Sequence, residues 1–309
     1  MKTKMKSLVE KLSSDGTYHA LRIQSEAMYA VHDYMRKESV VELRPVILSS
    51  VTDPLNHDVR DASIEYMGQK LQLTKSMILH KQLALTGVLD KIYIVSPNVR
   101  LETEDCAKSG RHLIEFSQVD IEFKGKGKED FMSFMEGLFC YVVESVIKNC
   151  ADDLRFFGRE LRVPERPFKV YESKSLEAHF GKDYEAMISK ASKDPFWILD
   201  LEREFYDRED PARKGYYHNY DMVYPEGFGE ALSGGERDFE YEVLVGKMKE
   251  RGMDLSQYSQ YLEFAKEGLL PRTVGGGFGV ERMVRYLTGA KDIDEVTLFS
   301  RKPGEKIFV

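Results

Sequence analysis

The sequence predicts an α+β chain, and three observations carry that prediction. Leu21, Met28, Val31 and Met35 recur at helical spacing, which gives one amphipathic helix over residues 19–38. Residues 130–150 form a second, mostly apolar stretch of helical length, broken only by charges such as Glu136 and Glu144. Two pairs of extended segments follow the hairpin pattern, 91–102 with 111–123 across a short turn-rich loop, and 219–224 with 228–233 about Pro225-Glu226-Gly227.

The remaining elements follow in chain order. A strand is predicted over 40–48, and its Pro45 places it at an edge or a bulge because proline donates no ladder hydrogen bond. Residues 71–89 read as helical over most of their length. In 111–123 successive side chains point to opposite faces: Leu113, Val119, Ile121 and Phe123 make an apolar face, and His112, Ile114, Phe116, Gln118, Asp120 and Glu122 make the other. That second face is either a chemical surface or an ordinary solvated one. Arg100 and Glu102 share a face of the neighbouring strand. Residues 151–215 are charged and mixed, with insertions expected around 174–193.

Across the second hairpin Asp221 and Glu230 fall nearly opposite each other, where two carboxylates either bind a cation or repel. Residues 275–279, Gly-Gly-Gly-Phe-Gly, lead into a helical pattern at 280–287. They match neither the dinucleotide fingerprint nor the P-loop, so they are a weak phosphate signal or the close packing of a strand.

Composition narrows the function classes. With 42% hydrophobic and 31% charged residues the chain can bury a core and is not a disordered or collagen-like one. A net charge of −7 argues against a protein that simply coats nucleic acid. Cys106, Cys140 and Cys150 lack metal-ligand spacing and are odd in number, so neither a disulfide framework nor a zinc site is implied. No apolar run reaches the roughly 18 residues of a membrane span, and the basic N-terminus has no apolar segment after it, so the sequence reads as cytoplasmic with no membrane partner.

Three segments then carry a resemblance. They are the first helix with the strand through Arg44-Pro45, Val99-Arg100-Leu101-Glu102 with Arg111-His112-Leu113-Ile114-Glu115-Phe116, and Gly275 to Arg282. With Tyr220-Asp221-Met222, Gly229-Glu230 and Ser233 to Arg237 they resemble the catalytic core of class II aminoacyl-tRNA synthetases of the aspartyl/asparaginyl branch. The nearest likeness within it is to archaeal asparagine synthetases related to the asparaginyl enzymes. The resemblance implies an antiparallel sheet flanked by helices, a catalytic domain over 18–309 after an extension at 1–17, no anticodon-binding domain, and a homodimer built partly through the Pro45 segment.

It also implies roles. Arg100 grips the α-phosphate and the activated carboxylate, Glu102 accepts from the adenine amino group, and Phe116 and Arg282 stack on the adenine faces. Arg111, His112 and Arg282 neutralise the pyrophosphate, and Asp221 and Glu230 hold Mg2+. Ser76 and Lys81 belong to the substrate-covering segment, where Lys81 meets the side-chain carboxylate of aspartate beside Gln118 and Asp120. Arg237 is the second cation, and Asp53 stands where the family usually has glutamate. Glu236 looks like the acid of the asparaginyl enzymes, and either it or Asp120 binds ammonium and accepts its proton.

These roles predict an AMP-forming aspartate–ammonia ligase that uses ATP, aspartate, ammonia and Mg2+, with tRNA an unlikely partner. Two alternatives stand beside it: an aspartyl-adenylate-forming transferase that charges a tRNA, another RNA or a protein, and a synthetase-like protein that binds without turnover.

Overall fold

The computed structural model describes residues 8–55, 57–299 and 301–307, so the first seven residues of the 1–17 extension lie outside the described residues. Its helices are α1 (Asp15–Lys37), α2 (Ile78–Ala84), α3 (Lys128–Asn149), α4 (Ala151–Phe156), α5 (Ser173–Phe180), α6 (Tyr184–Ala191), α7 (Tyr241–Glu250), α8 (Ser259–Lys266) and α9 (Val280–Thr288). The strands are β1 (Val41–Glu42), β2 (Leu48–Ser49), β3 (Val59–Arg60), β4 (Ser63–Tyr66), β5 (Gln69–Leu73), β6 (Lys91–Val99), β7 (Leu101–Glu102), β8 (Glu115–Lys124), β9 (Lys169–Glu172), β10 (Phe196–Leu199), β11 (Asn219–Tyr224), β12 (Gly229–Glu236) and β13 (Thr273–Gly279).

Eight strands form one sheet in the order β1-β6-β8-β13-β12-β11-β10-β9. Its interior pairings are antiparallel, and β1 and β9 add parallel edges. This is the α+β architecture that the hairpin and helix patterns predict. One face is apolar, with Val119, Ile121, Phe123, Met222, Leu232 and Val274 packed under α1, α3 and α9. Helix α1 contributes Ile23, Ala27, Val31 and Met35, and its charge order, Asp15 first and Arg36 with Lys37 last, suits the helix dipole. The opposite face carries the polar side chains of β8 and lies beneath a second apolar cluster that includes Ile78, Leu79, Phe205, Tyr206 and Leu262.

Four local expectations need correction or gain detail. The strand over 40–48 is two short pieces, β1 and β2, because the chain leaves the ladder around Pro45. The helix over 71–89 shrinks to α2; Gln69–Leu73 is a strand paired with Ser63–Tyr66 through a turn in which Met67 (φ 49°) and Gly68 (φ 76°) are both left-handed. The insertion expected around 174–193 is two helices, α5 and α6, between β9 and β10 of the main sheet. Finally, Asp221 faces Ser233 and Glu230 faces Val223, with Ala231 as the extra residue of a bulge.

The glycine run lies in β13, at the middle of the sheet, and is not a phosphate loop. A Cβ at Gly275 would run into the Glu122 carboxylate and the Ile121 carbonyl, and one at Gly277 into Gln118 and Asp120.

Candidate active site

A cavity of about 490 Å3 opens on the polar face of the sheet. Its wall includes Asp53, Ser76, Lys81, Arg100, Glu102, Arg111, His112, Phe116, Gln118, Asp120, Asp221, Glu230, Arg237 and Arg282, so the fold gathers nearly all of the residues singled out in the sequence. The period-2 alternation of β8 explains this, because it turns Phe116, Gln118 and Asp120 to one side and Val119 and Ile121 to the core on the other.

Arginines crowd one end. The Arg100 guanidinium lies 5.1 Å from the Phe116 ring centre and donates from Nε to the Lys75 carbonyl at 3.1 Å. Arg282 donates from Nη1 to Glu230 Oε1 at 3.0 Å and from Nε to the Arg111 carbonyl at 3.3 Å. His112, 2.6 Å from Ser109 Oγ, has its pKa pushed down to about 4 by burial and then by the charges of Arg282 and Arg111, which leaves it neutral at pH 7. Burial alone would raise the pKa of Glu102, but the His57 ring 3.2 Å away and the charges of His57, His112 and Arg100 outweigh it and lower the value.

The two carboxylates of the bulged hairpin sit at the same end. Burial pushes the Asp221 pKa to about 7; Arg203, 2.5 Å away, opposes the rise and neighbouring Glu230 adds to it. Burial also acts to raise Glu230, yet Arg282, Arg203, Arg111 and Arg100 together bring it below the usual range. A buried carboxylate, Asp221, and a partly exposed one, Glu230, that repel each other beside a cavity suit a divalent cation. Mg2+ takes few protein carboxylates and fills its remaining positions with phosphate oxygens and water, so the pair fits it.

The other end is a buried ladder of charges. Lys81 Nζ is 2.9 Å from Asp120 Oδ1 and 3.5 Å from Glu122 Oε2. Arg237 Nε is 3.1 Å from Glu122 Oε1, and its Nη1 is 3.5 Å from Asp207 Oδ1. Arg203 continues the ladder from Asp207 to Asp221 and also donates to Ser233 Oγ and the Gly234 carbonyl. Among the described residues, Asp120 Oδ2 is buried without a hydrogen-bond partner. Tyr206 donates its hydroxyl to Asp53 at 3.1 Å, and Ser76 Oγ accepts from the Ile78 backbone N–H at 3.2 Å.

Glu236 is the exception. It is the last residue of β12, just before Arg237, so its side chain takes the opposite face and lies outside the cavity wall. There its carboxylate accepts from the Lys128 backbone N–H at 3.2 Å, at the start of α3, and pairs with Arg272 at 2.9 Å and Arg208 at 3.6 Å. Its observed contacts join β12 to α3, so of the two carboxylates assigned to ammonium only Asp120 lies on the cavity wall.

Sequence reasoning also missed residues. Glu122 carried a signal, since it shares the β8 face of Gln118 and Asp120. Arg203, Glu204, Tyr206 and Asp207 carried none, because they come from an irregular charged stretch without periodicity. Glu204 lines the cavity, and burial together with neighbouring Asp53 and Asp207 pushes its pKa to about 8.

Comparison with known proteins sets this geometry in a family. A family model described as tRNA synthetases class II (D, K and N) matches residues 1–303. An aspartate–tRNA(Asp/Asn) ligase of Methanothermobacter thermautotrophicus is 30% identical over 306 residues, covering 91% of this chain and 66% of that protein. An asparagine–tRNA ligase of Pyrococcus abyssi is 28% identical, covering 92% of this chain and 68% of its own. The chain thus spans about two thirds of the length of these curated relatives. The asparaginyl-tRNA synthetase of Pyrococcus horikoshii complexed with asparaginyl-adenylate has the same fold, with a TM-score of 0.85, 24% identity and coverage of 96% of this chain and 71% of that one.

Relatives named as tRNA ligases overturn the expectation of an aspartate–ammonia ligase with tRNA as an unlikely partner. The placement of Glu236 outside the cavity wall also takes one of the two candidate ammonium-binding carboxylates, Glu236 and Asp120, out of the site. The matched family model, spanning almost the whole chain, and the arginine-lined, carboxylate-bearing cavity lead to one conclusion: the chain belongs to the class II tRNA synthetases of the D, K and N group.

Proposed function

We propose that the chain activates aspartate with Mg-ATP and passes the aspartyl group to tRNA. The observation that carries this reading is that Lys81 and Arg237 line the same cavity as Arg100, Arg111 and Arg282. One end offers two cations for a side-chain carboxylate, and the other offers guanidinium groups for a triphosphate. The relatives' names supply the acceptor, since they are tRNA ligases for aspartate and asparagine.

In this reading Arg100 holds the α-carboxylate of aspartate against the α-phosphate, with Phe116 and Glu102 receiving the adenine. The carboxylate oxygen attacks phosphorus and pyrophosphate departs, its charge balanced by Arg111 and Arg282. Asp221 and Glu230 would hold Mg2+, which supplies charge neutralisation at the phosphates. A ribose hydroxyl of tRNA then attacks the activated carbonyl, and AMP leaves. His112, neutral at pH 7, donates one hydrogen bond without adding charge.

We also propose that two copies associate through the segment around Pro45. Tyr29 on α1, Val41 on β1, Leu48 on β2 and Ile47 just before β2 are exposed apolar side chains.

The experiment is ATP–pyrophosphate exchange with aspartate or asparagine, followed by incubation of labelled aspartate with tRNA. Aspartate-dependent exchange and nuclease-sensitive label on RNA are expected. Equal exchange with both amino acids, or no label on RNA, would overturn the reading.

A further inference from the structure

One loop reaches from the amino-acid end of the cavity to the nucleotide end. Tyr206 anchors its start by donating to Asp53 at 3.1 and 3.2 Å, and Asp53 Oδ1 in turn accepts the Leu55 backbone N–H at 3.2 Å. Beyond the bend at Leu55 (φ 59°), β3 pairs antiparallel with β7 and sets Val59 opposite Glu102. Asp53, Leu55, His57 and Glu102 all line the cavity. The loop is thus fixed on both sides of His57, and its second anchor is the residue that the adenylation reading gives to the adenine amino group.

The His57 ring closes on that acceptor. Its Nε2 lies 3.2 Å from both oxygens of Glu102, whose side chain is only 4% exposed, so one N–H bridges the carboxylate. An ionised carboxylate only accepts, which places the ring proton on Nε2. Cys106 Sγ, 3.8 Å from Oε2, adds a weak donor. Two oxygens offer about four lone-pair positions, so a carboxylate held by His57 keeps room for a donor from a base. An adenine 6-amino group matches such an acceptor, whereas a 6-oxo purine presents an acceptor of its own and leaves both groups unpaired.

We propose that His57 is a positioning residue for base selection: by bridging both oxygens of Glu102 it fixes the carboxylate as an acceptor on the cavity wall, so the site takes 6-amino purines and rejects 6-oxo purines. The proposal deepens the adenylation reading and rests on it. His57 acts through Glu102. Without the ring, Glu102 is free to turn away or to take up a proton, and a protonated carboxyl can donate to a 6-oxo group. Discrimination is then lost while the arginine end keeps its hold on the phosphates.

The test is calorimetric titration of the full chain with Mg-ATP and with Mg-ITP, whose base carries an oxygen in place of the 6-amino group. The wild type should prefer ATP by about 100-fold or more. His57→Ala should narrow that preference about tenfold, chiefly through weaker ATP binding, while ITP binding holds or improves. The ring is 44% exposed, so its removal opens no core. His57→Gln keeps an N–H for Glu102 and should restore most of the preference, a rescue that general loosening of the fold would not give. The proposal is overturned if His57→Ala leaves the ratio of the two affinities unchanged, if His57→Gln recovers nothing, or if the wild type binds both nucleotides alike, a result that leaves the adenylation reading standing. Failure of the wild type to bind Mg-ATP at all would instead remove the adenylation reading, and the role of His57 with it.

Discussion

Lys81 and Asp120 form a buried ion pair at 2.9 Å on the cavity wall, and each side chain is only 2% exposed. The second oxygen of Asp120 has no hydrogen-bond partner among the described residues, so within them the pair is one contact short of complete satisfaction. A substrate carboxylate at Lys81 therefore competes with Asp120 and Glu122 for the same ammonium.

Removing that ammonium should be costly in two ways. Lys81→Met leaves Asp120 and Glu122 partly unpaired, a change worth about 3–5 kcal/mol in a buried pair. Melting should fall accordingly, and kcat/KM for aspartate in the exchange reaction should drop at least about 100-fold. ATP affinity, set at the other end of the cavity, should hold. An unchanged KM for aspartate would show that Lys81 serves only the fold.

Arg203 bridges Asp207 and Asp221, and it opposes the upward shift of Asp221. In Arg203→Met the Asp221 carboxyl should titrate still higher, so less of it is charged at pH 7. Exchange activity should fall near neutrality and recover in part toward pH 9. A variant whose pH profile merely scales down, with no shift of its acid limb, would contradict this.

Glu236→Gln separates architecture from chemistry. The amide still accepts from the Lys128 N–H but loses the charge that faces Arg272 and Arg208. Stability should drop by about 1 kcal/mol, while KM for aspartate and for ATP stay within about twofold. A fall in exchange rate larger than the fall in stability explains would return Glu236 to the site.

Glu281 has its pKa pushed up to about 7, chiefly by burial, although its two oxygens accept the Ser117 backbone N–H at 3.0 and 3.1 Å. The folded protein therefore binds this proton where the unfolded chain, with a value near 4.5, has released it. The group stabilises fully below about pH 4.5, and that contribution is lost as pH rises through about 7. Glu281→Gln should remove this dependence, so its melting temperature should decline less than that of the wild type between pH 5 and 8. Parallel melting curves would count against the shift.

The α+β class and the alternation of β8 were legible in the sequence, whereas the exact ladder was not, for physical reasons. Alternation along β8 is a local property, so Phe116, Gln118 and Asp120 were visible from spacing alone. The bulge at Ala231 depends on how β12 meets β11, which no single segment records, and so Asp221 and Glu230, expected nearly opposite each other, are offset along the ladder. Leu71 and Leu73 suit a strand or a helix equally until the left-handed turn at Met67 and Gly68 decides between them. Arg203 and Asp207 gain their meaning only from partners distant in the chain. Helix α6 looked like an insertion because its packing partners lie on β10 and β11.

The bare strand β13 limits how this cavity can be remodelled. Its glycines let Gln118, Asp120 and Glu122 lie directly on backbone, so recognition there is written partly as missing atoms. Directed evolution toward another amino acid has no room to add a contacting group at Gly275 or Gly277 without displacing an acid of the ladder. Libraries at these two positions should return losses alone, and new preferences should arise from α2, β8 and β12, whose side chains already line the wall.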